Sequence, residues 1–477
     1  MPIDVDTPGS PGWWLARCHA KLIARQPRVR RLAERYAGNP WEPEWLVTAP
    51  DAAQRFYRAA RTNFAEMVVK APYRRLRVAS ITTALDGSES GDQVAWRVWR
   101  AAGMLTEAPD INRTLLTVGD AYAILGVDDT GPYATAEDPR QVVTIHDPIR
   151  QSRVRAAAKF FTDDDTGVDY GYLYMPGARF VARSPDSVTA GVAYGGLTRS
   201  AFSPHTWDWD PEFGGADGEA LPDGMGDFVS VVRFRNDEGV GEFERHEDIL
   251  YRIDHVILQG MVVATMQAFR QRAIKADPKD MPDEDPATGQ PIDYDELFSA
   301  DPGALWKLPL TAELWESGQV DLTGILQMAE KEMQRLSAVT FTPLSMFNSD
   351  AVNQSAAGAD LVREGLTDKV SMLHDLLDQP YAMVAAGLLR LAGEAERADL
   401  DSVRIGWAPP MRYTLMERSQ AAMAGNTSGV PWRTRMREFW QFTPEQIRVA
   451  ESERMDDALL FPAEVAAQPP AEQVPGG

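Results

Sequence analysis

From residue 247 to about residue 396 the chain is written almost entirely in helix-forming segments, broken by two insertions of different chemistry. In EDILYRIDHVILQGMVVATMQAFRQRAI, Ile249, Ile253, Val256, Gly260, Val263 and Met266 recur at three and four residues, the repeat of one helix face. About 28 residues at ~1.5 Å each predict a helix of about 40 Å. LTGILQMAEKEMQRLSAV repeats the pattern through Ile325, Met328, Met333 and Leu336. A third run carries Leu361, Leu366, Val370, Leu373, Leu377, Val384 and Leu388, with Pro380 expected to kink or break it because proline removes a backbone donor and clashes with the preceding turn. The first insertion, ADPKDMPDEDPATGQPIDYDELFSADPG, is acidic and proline-rich. The second, TPLSMFNSDAVNQSAAG, is small and polar, with Asp350 its one charged residue. Two helices framing the acidic insertion like legs of one projection predict a scaffold that displays loops to something large.

Composition bounds the rest. A length of 477 residues predicts about two to four domains, and 44% hydrophobic residues are enough for a substantial core. A formal charge of −22 argues against tight wrapping of nucleic acid, whose binding is driven by Lys and Arg releasing counterions. The single cysteine, Cys18, forbids an intrachain disulfide and any cysteine-based zinc cluster, so a reducing compartment is expected. No early apolar run with basic flanks resembles a signal peptide. The longest apolar stretch, VILQGMVVATM, is shorter than the ~18 residues a membrane span needs.

Toward the N-terminus, GWWLARCHAKLIARQPRVRRLAERYAGNP reads as a helix stopped by Gly38 and Pro40. Its clustered Arg17, Lys21, Arg25, Arg28, Arg30, Arg31 and Arg35 predict a solvated or interface face rather than a nucleic-acid patch. Trp13 and Trp14 are candidate interface residues. A second helix puts Phe56, Ala60, Phe64 and Met67 on one face as core positions. AYAILGV, VVTI, AAAKFF, GYLYM, RFVAR and VSVVRFR, bounded by Gly, Pro, Asp and Asn, read as strands, so the class is α+β. Residues 202–227 hold too many Gly, Pro and Asp for regular structure. FTPEQIRVAESERM starts a helix with Thr443 as cap, Pro444 at the first position and Gln446 three residues after the cap. VPWRTRMREFW is another amphipathic helix, and the last residues are too poor in large apolar groups to fold.

Motifs of chemistry are sparse. No Gly-Lys dipeptide occurs, which excludes the phosphate-cradling loop of nucleotide hydrolases. The six histidines are scattered singly and no H-E-x-x-H occurs, so no metal and no cofactor are expected. GSESG and GNTSG place Glu89 and Thr427 where a nucleophilic serine must stand, and read as loops. His146 and Asp147 in TIHDPIR can be drawn as an acid–base pair, the basis of an alternative reading as a soluble α+β hydrolase. Neighbouring strand residues point to opposite faces, however, and Pro148 suggests a turn. Trp207, Asp208, Trp209 and Asp210 suggest either a carbohydrate platform or, as the preferred reading, a polar loop at a subunit interface.

In order, RRLAERYAGNP, TNFAEMVVKAPYRRLRV, INRTLLTVGDAYAILGV, EDPRQVVTIHDP, AAAKFF, GYLYMP, VSVVRFRN, GVGEFERHEDILYRIDHVI and NQSAAGADLVREGL resemble the portal proteins of tailed bacteriophages, in the Gp6-like branch of siphophages infecting actinobacteria. The resemblance implies a non-enzymatic ring of twelve subunits at one capsid vertex, with wing, stem, clip and crown. It divides the chain into wing (1–246), stem helix (247–275), clip (276–320), second stem helix (321–340), tunnel loop (341–358), wing helix and strand (359–410), crown (411–461) and disordered tail (462–477). Implied partners are further copies of the chain, double-stranded DNA passing through the channel, the terminase motor, the head–tail connector or adaptor, and major capsid and scaffold proteins. No membrane is implied. The protein would be made in the host cytoplasm and reside in the virion, serving genome packaging, retention and ejection.

The site residues implied are Ser345, Asn348, Ser349, Asn353, Gln354 and Ser355 in the tunnel loop, facing DNA, and Asp283, Glu284, Asp285, Asp293, Asp295 and Glu296 in the clip, facing protein partners. The chemistry of the chain agrees with these roles. A pore that moves DNA should not hold it, and an acidic wall repels the duplex. Small polar side chains touch sugar and phosphate without reading bases.

Overall fold

Ser10 opens the first helix, its Oγ accepting the Trp13 N–H at 3.1 Å, and Pro11 takes the first helical position, where its missing donor costs nothing. This helix, α1 (Pro11–Tyr36), stops at Gly38, whose φ of +82° suits glycine. The computed structural model describes residues 2–40, 42, 48, 50–86, 91–184, 202, 206–222, 225–226, 228–268, 272–275, 284–285, 287–292, 313–316, 321–347, 356–411 and 413–460. They divide into two compact units: Met1–Glu44, Asn63–Leu250 and Arg335–Gly477 form the first, Trp45–Thr62 and Tyr251–Gln334 the second. The class is mixed α+β.

The expected second helix is two. α2 (Asp51–Ala60) and α3 (Phe64–Tyr73) separate because Asn63 caps α3, accepting from Glu66 N at 3.2 Å while its amide donates to Tyr36 O at 2.8 Å. The register of buried residues changes with the break. Tyr57, Ala60, Phe64, Ala65, Val68 and Val69 are buried, whereas Phe56 and Met67 are only partly so.

In the first unit β1 (Val78–Thr82) is followed by α4 (Gln93–Ala101) and α5 (Met104–Val118). Gly119 turns α5 into the next strand with φ +83°. A Cβ there would lie 2.3 Å from Gly239 O, so both the conformation and the close approach require glycine. Then come β2 (Asp120–Asp128), β3 (Gly131–Glu137), β4 (Val142–His146), β5 (Val154–Thr162), β6 (Asp169–Met175), β7 (Ala178–Arg183), β8 (Asp208–Trp209), β9 (Glu219–Ala220) and β10 (Val231–Arg235). All six strands expected from sequence are present. One antiparallel sheet runs β10-β2-β3, and a second runs β4-β5-β6-β7-β8 with β9 also on β7.

Alternation along these strands makes two cores. Val143, Ala158, Phe160, Leu173 and Phe180 pack with Leu15, Cys18 and Leu22 of α1 and with Phe202, Trp207 and Trp209. Val142, Ala157 and Tyr174, on the opposite face, pack with Tyr122, Ile124, Val229 and Val231. Trp207 and Trp209, 2% and 4% exposed, are therefore core residues of their own chain, neither a sugar platform nor an interface loop. Within the 202–227 segment, Trp207 and β8 carry the two large indoles inward, and short 3-10 turns follow at Pro211–Phe213 and Gly215–Asp217.

α6 (Glu247–Ala268) is shorter than expected, because Arg272–Lys275 is a strand, β11, paired antiparallel with β12 (Glu313–Glu316). α7 (Thr323–Thr340) and α8 (Ala356–Leu391) follow. α8 continues through Pro380 without breaking. Leu377, Tyr381, Val384 and Leu388 are all buried around it, which offsets the ~3 kcal/mol that an interior proline costs. Tyr381 donates to Asn112 Oδ1 at 2.9 Å, and β13 (Arg404–Trp407) returns to pair with β1. α9 (Leu415–Thr427), α10 (Trp432–Glu438) and α11 (Pro444–Leu460) complete the described chain. The cap of α11 is reciprocal: Thr443 N donates to Gln446 Oε1 at 2.9 Å and Gln446 N to Thr443 Oγ1 at 3.3 Å. GNTSG is the end of α9 rather than a loop, with Thr427 Oγ1 donating back to Met423 O at 3.1 Å. The tail 462–477 and GSES at 87–90 lie outside the described residues.

Candidate functional site

The polar insertion begins from a network at the end of α7. Ser337 Oγ donates to Thr342 O at 2.6 Å, and Thr342 N returns a bond to Ser337 O at 3.1 Å. Thr340 Oγ1 donates to Leu336 O at 2.7 Å and pairs with Thr342 Oγ1 at 2.9 Å. Of these, the Thr342 N–H bond to Ser337 O satisfies a carbonyl that the helix end leaves open. Lys369 of α8 completes the network. Its ammonium donates to Thr340 O at 2.9 Å and pairs with the buried carboxylate of Glu242. A helix C-terminus carries partial negative charge, so a cation here is favourable twice over.

Phe341 lies within this latch at φ +54°, a left-handed conformation that is uncommon for a bulky residue. Its ring is 56% exposed and rests over Gly365, where an added Cβ would come 3.1 Å from Phe341 Cδ1. Beyond it, Leu344–Met346 forms a 3-10 turn, and the Phe347 ring packs on Phe64 at 5.6 Å. Ser345 is exposed on that turn. Asn348, Ser349, Asn353, Gln354 and Ser355 lie outside the described residues.

In the second unit, α6 and α7 meet along a close seam, with a Cβ on Gly260 only 3.4 Å from Ile325 Cγ2. Arg252 Nε and Nη2 reach the buried Glu332 carboxylate at 3.0 and 2.9 Å. Farther along, Val256, Gly260, Met261, Ala264, Ile325 and Leu326 line an apolar cleft of about 250 Å³. Leu326 and Met328 are 62% and 50% exposed.

The strand pair places Arg272 opposite Glu316 and Lys275 opposite Glu313, so the acidic insertion is bracketed by a two-stranded ribbon. Glu284 bridges to Pro291 and is exposed. Asp285 is committed to its own turn, accepting from Ala287 N at 2.9 Å and Thr288 Oγ1 at 2.8 Å. Those bonds, the backbone one foremost, hold its carboxyl below the usual range. Asp283, Asp293, Asp295 and Glu296 lie outside the described residues.

His146 and Asp147 enter separate hydrogen-bond sets. Asp147 accepts from Arg155 Nε and Nη2 at 3.0 and 2.6 Å and from the Ile149 and Arg150 N–H groups at 2.8 and 3.1 Å. Led by the Arg155 bonds, these hold its carboxyl down at about 2. His146 Nε2 faces Thr144 Oγ1 at 2.8 Å, and burial, followed by the charge of Arg233, pushes the imidazole down to about 4. Aspartate is spent on a turn and histidine on a strand hydroxyl. Among the described residues no group of three or more His, Cys, Asp or Glu side chains is arranged to hold a metal, and no helix is long and apolar enough to cross a membrane.

Several basic residues of α1 are used within the chain. Arg28 Nε reaches Glu244 Oε1 at 2.6 Å, Arg31 Nε lies 3.3 Å from Glu247 Oε2, and the Arg17 guanidinium sits over Trp13 at 4.5 Å. The face expected to be solvated or intersubunit is in this part a set of intrachain clamps. Trp14 packs on the first core, with Trp13 edge-on to it at 4.7 Å.

No family model and no curated protein matches the chain. Among solved structures it is similar to a chain of "Virion of native gene transfer agent (GTA) particle", at 12% identity and a TM-score of 0.42, covering 83% of this chain and 93% of that one. It is likewise similar to a chain of "Neck of empty GTA particle computed with C6 symmetry", at 12% identity and a TM-score of 0.44, with the same coverage.

Proposed function

We propose that the chain is the subunit of a portal ring, a DNA conduit at one capsid vertex that docks a packaging motor and later a head–tail connector. The observation that carries this reading is the latch on the polar insertion. An insertion rich in Ser, Asn and Gln is rooted by a buried Lys369–Glu242 pair, three hydroxyl-centred bonds and the Lys369 bond to Thr340 O, while Ser345 is left exposed. Such a root fits a loop that bears load from something passing it. The polar tip residues, Asn348, Ser349, Asn353, Gln354 and Ser355, touch the duplex through sugar and phosphate without reading sequence. In this reading the apolar cleft between α6 and α7, with exposed Leu326 and Met328, is covered by neighbouring copies, since exposed apolar surface of this kind marks association. Net charge of −22 per chain keeps the channel wall repulsive to DNA. The motive force comes from a separate ATPase.

The acidic insertion is the docking end. Because Asp285 closes its own turn, the charges offered to partners there are Asp283 and Glu284, with Asp293, Asp295 and Glu296 beyond. Asp283→Lys with Glu284→Lys is expected to weaken docking of the motor or connector about ten-fold or more through lost charge complementarity, with ring assembly unchanged. Pull-down and titration of the two partners on assembled rings check this. Full binding by the double variant would move the docking surface elsewhere.

A further inference from the structure

Between α1, α5 and the turn from β3 to β4 lies a cavity of about 280 Å³, close to the lower bound of about 300 Å³ for small-ligand sites. Part of its wall is apolar, made by Val29 and Ala33 of α1, Val118 of α5 and Pro139 of the turn. The rest carries charge of both signs. Asp110 and Arg113 stand one turn apart on α5, a spacing that brings side chains together. Arg113 Nη2 is 2.7 Å from Asp110 Oδ1, and the two side chains are 42% and 51% exposed. An exposed pair of this kind contributes about 0–1 kcal/mol, so little opposes its turning to a ligand.

Hydrogen-bonding capacity on this wall is unspent. Arg113 Nε and Nη1 and Asp110 Oδ2 make no hydrogen bond among the described residues. Arg140 gives Nε and Nη2 to Asp138 Oδ2 at 2.8 and 2.5 Å and keeps Nη1 open among the same residues. The Tyr36 and Thr114 hydroxyls, also on the wall, are open there too. Burial pushes the Tyr36 phenol up and the charge of Arg113 opposes it, so the hydroxyl lies within the field of that guanidinium.

Charge selects the ligand. Arg113 and Arg140 are matched by Asp110 and Asp138, Glu137 is held by Lys159 at 2.8 Å, and Glu34 adds a carboxylate near Arg140. An anion would meet as many carboxylates as cations here. A ligand neutral overall but carrying both signs meets a partner for each. In an α-amino acid one carbon separates carboxylate from ammonium, which suits the adjacent charges of Arg113 and Asp110. The planar guanidinium matches a carboxylate, and a free carboxylate oxygen accepts from an ammonium.

We propose that this cavity binds a free α-amino acid with a small apolar side chain. Its carboxylate accepts from Arg113 and the Tyr36 hydroxyl, its ammonium donates to Asp110, and its side chain rests against Val29, Ala33 and Val118. The site uses neither the latch nor the acidic insertion, and it stands without the portal reading.

Isothermal titration of the full-length protein with L-valine at neutral pH and constant ionic strength tests it. Saturable binding is expected, weakened about ten-fold by Arg113→Gln and by Asp110→Asn, each the loss of one charge-assisted hydrogen bond. Tyr36→Phe, which keeps the ring and removes the hydroxyl, is expected to weaken it by a smaller factor and serves if either other variant does not fold. Isovalerate, which lacks the ammonium, and isobutylamine, which lacks the carboxylate, should each bind at least about ten-fold more weakly than valine. No saturable uptake up to about 10 mM valine, unchanged affinity in these variants, or isovalerate binding as tightly as valine overturns the proposal.

Discussion

Lys369→Met is expected to lower the unfolding free energy by about 3 kcal/mol, since removing one partner of a buried pair leaves the other charge uncompensated. Both side chains are buried, 13% and 8% exposed, so solvent does little to screen the loss. Among the described residues Glu242 keeps its bond from Asn236 Nδ2 at 3.0 Å, and Thr340 O loses its ammonium donor. Lys369→Met with Glu242→Gln should recover part of the loss, because the stranded charge is then gone. Denaturant unfolding of the two variants measures both effects. A single variant as stable as the parent would mean that the latch contributes nothing to holding the end of α7.

Deleting residues 349–355 is expected to act the other way round, leaving stability and ring assembly intact while abolishing DNA-filled heads. The bonds that root the insertion, from Ser337, Thr340, Thr342 and Lys369, all lie outside the deleted segment. The loss should be close to complete, because the proposed role of the segment is contact with the moving duplex in every subunit of the ring. Complementation of a particle-forming system, with filled and empty heads counted by imaging, is the assay. Unchanged filled heads would remove the tunnel assignment.

Local signals are legible in the chain and long-range ones are not. Ser-, Thr- and Gly-based stops depend on neighbours within four residues, and so the end of α1 at Gly38 and the Thr443–Gln446 cap are legible. The six strands with apolar runs bounded by turn residues are legible for the same reason. β1 and β3 are not, since VASIT and GPYATAE are short and mixed, and β1 exists through pairing with β13, with Val78 opposite Trp407. Pro380 does not break α8 because its cost is local while the compensation, burial of Leu377, Tyr381 and Val384, is tertiary. α6 gives way to β11 because the strand is made by its partner β12, beyond the reach of a helix-period argument. Trp207 and Trp209 carry polar neighbours in sequence and apolar ones in space.

At the candidate site the sequence marks the polar composition of the insertion and the acidity of the other. It does not mark the latch. Lys369 reads as any solvated helix lysine until Glu242 and Thr340 are placed beside it, and nothing around Phe341 announces a positive φ. The same holds for Tyr36 and Arg113, which are separated widely along the chain and line one cavity only in the folded protein.

A ring of identical subunits around a channel is what the proposed portal role requires of this chain. Native mass spectrometry of the purified protein, with imaging of the same sample, tests it most directly. A closed ring of identical subunits with a central opening is expected, and a protein that stays monomeric under every assembly condition would contradict the portal role.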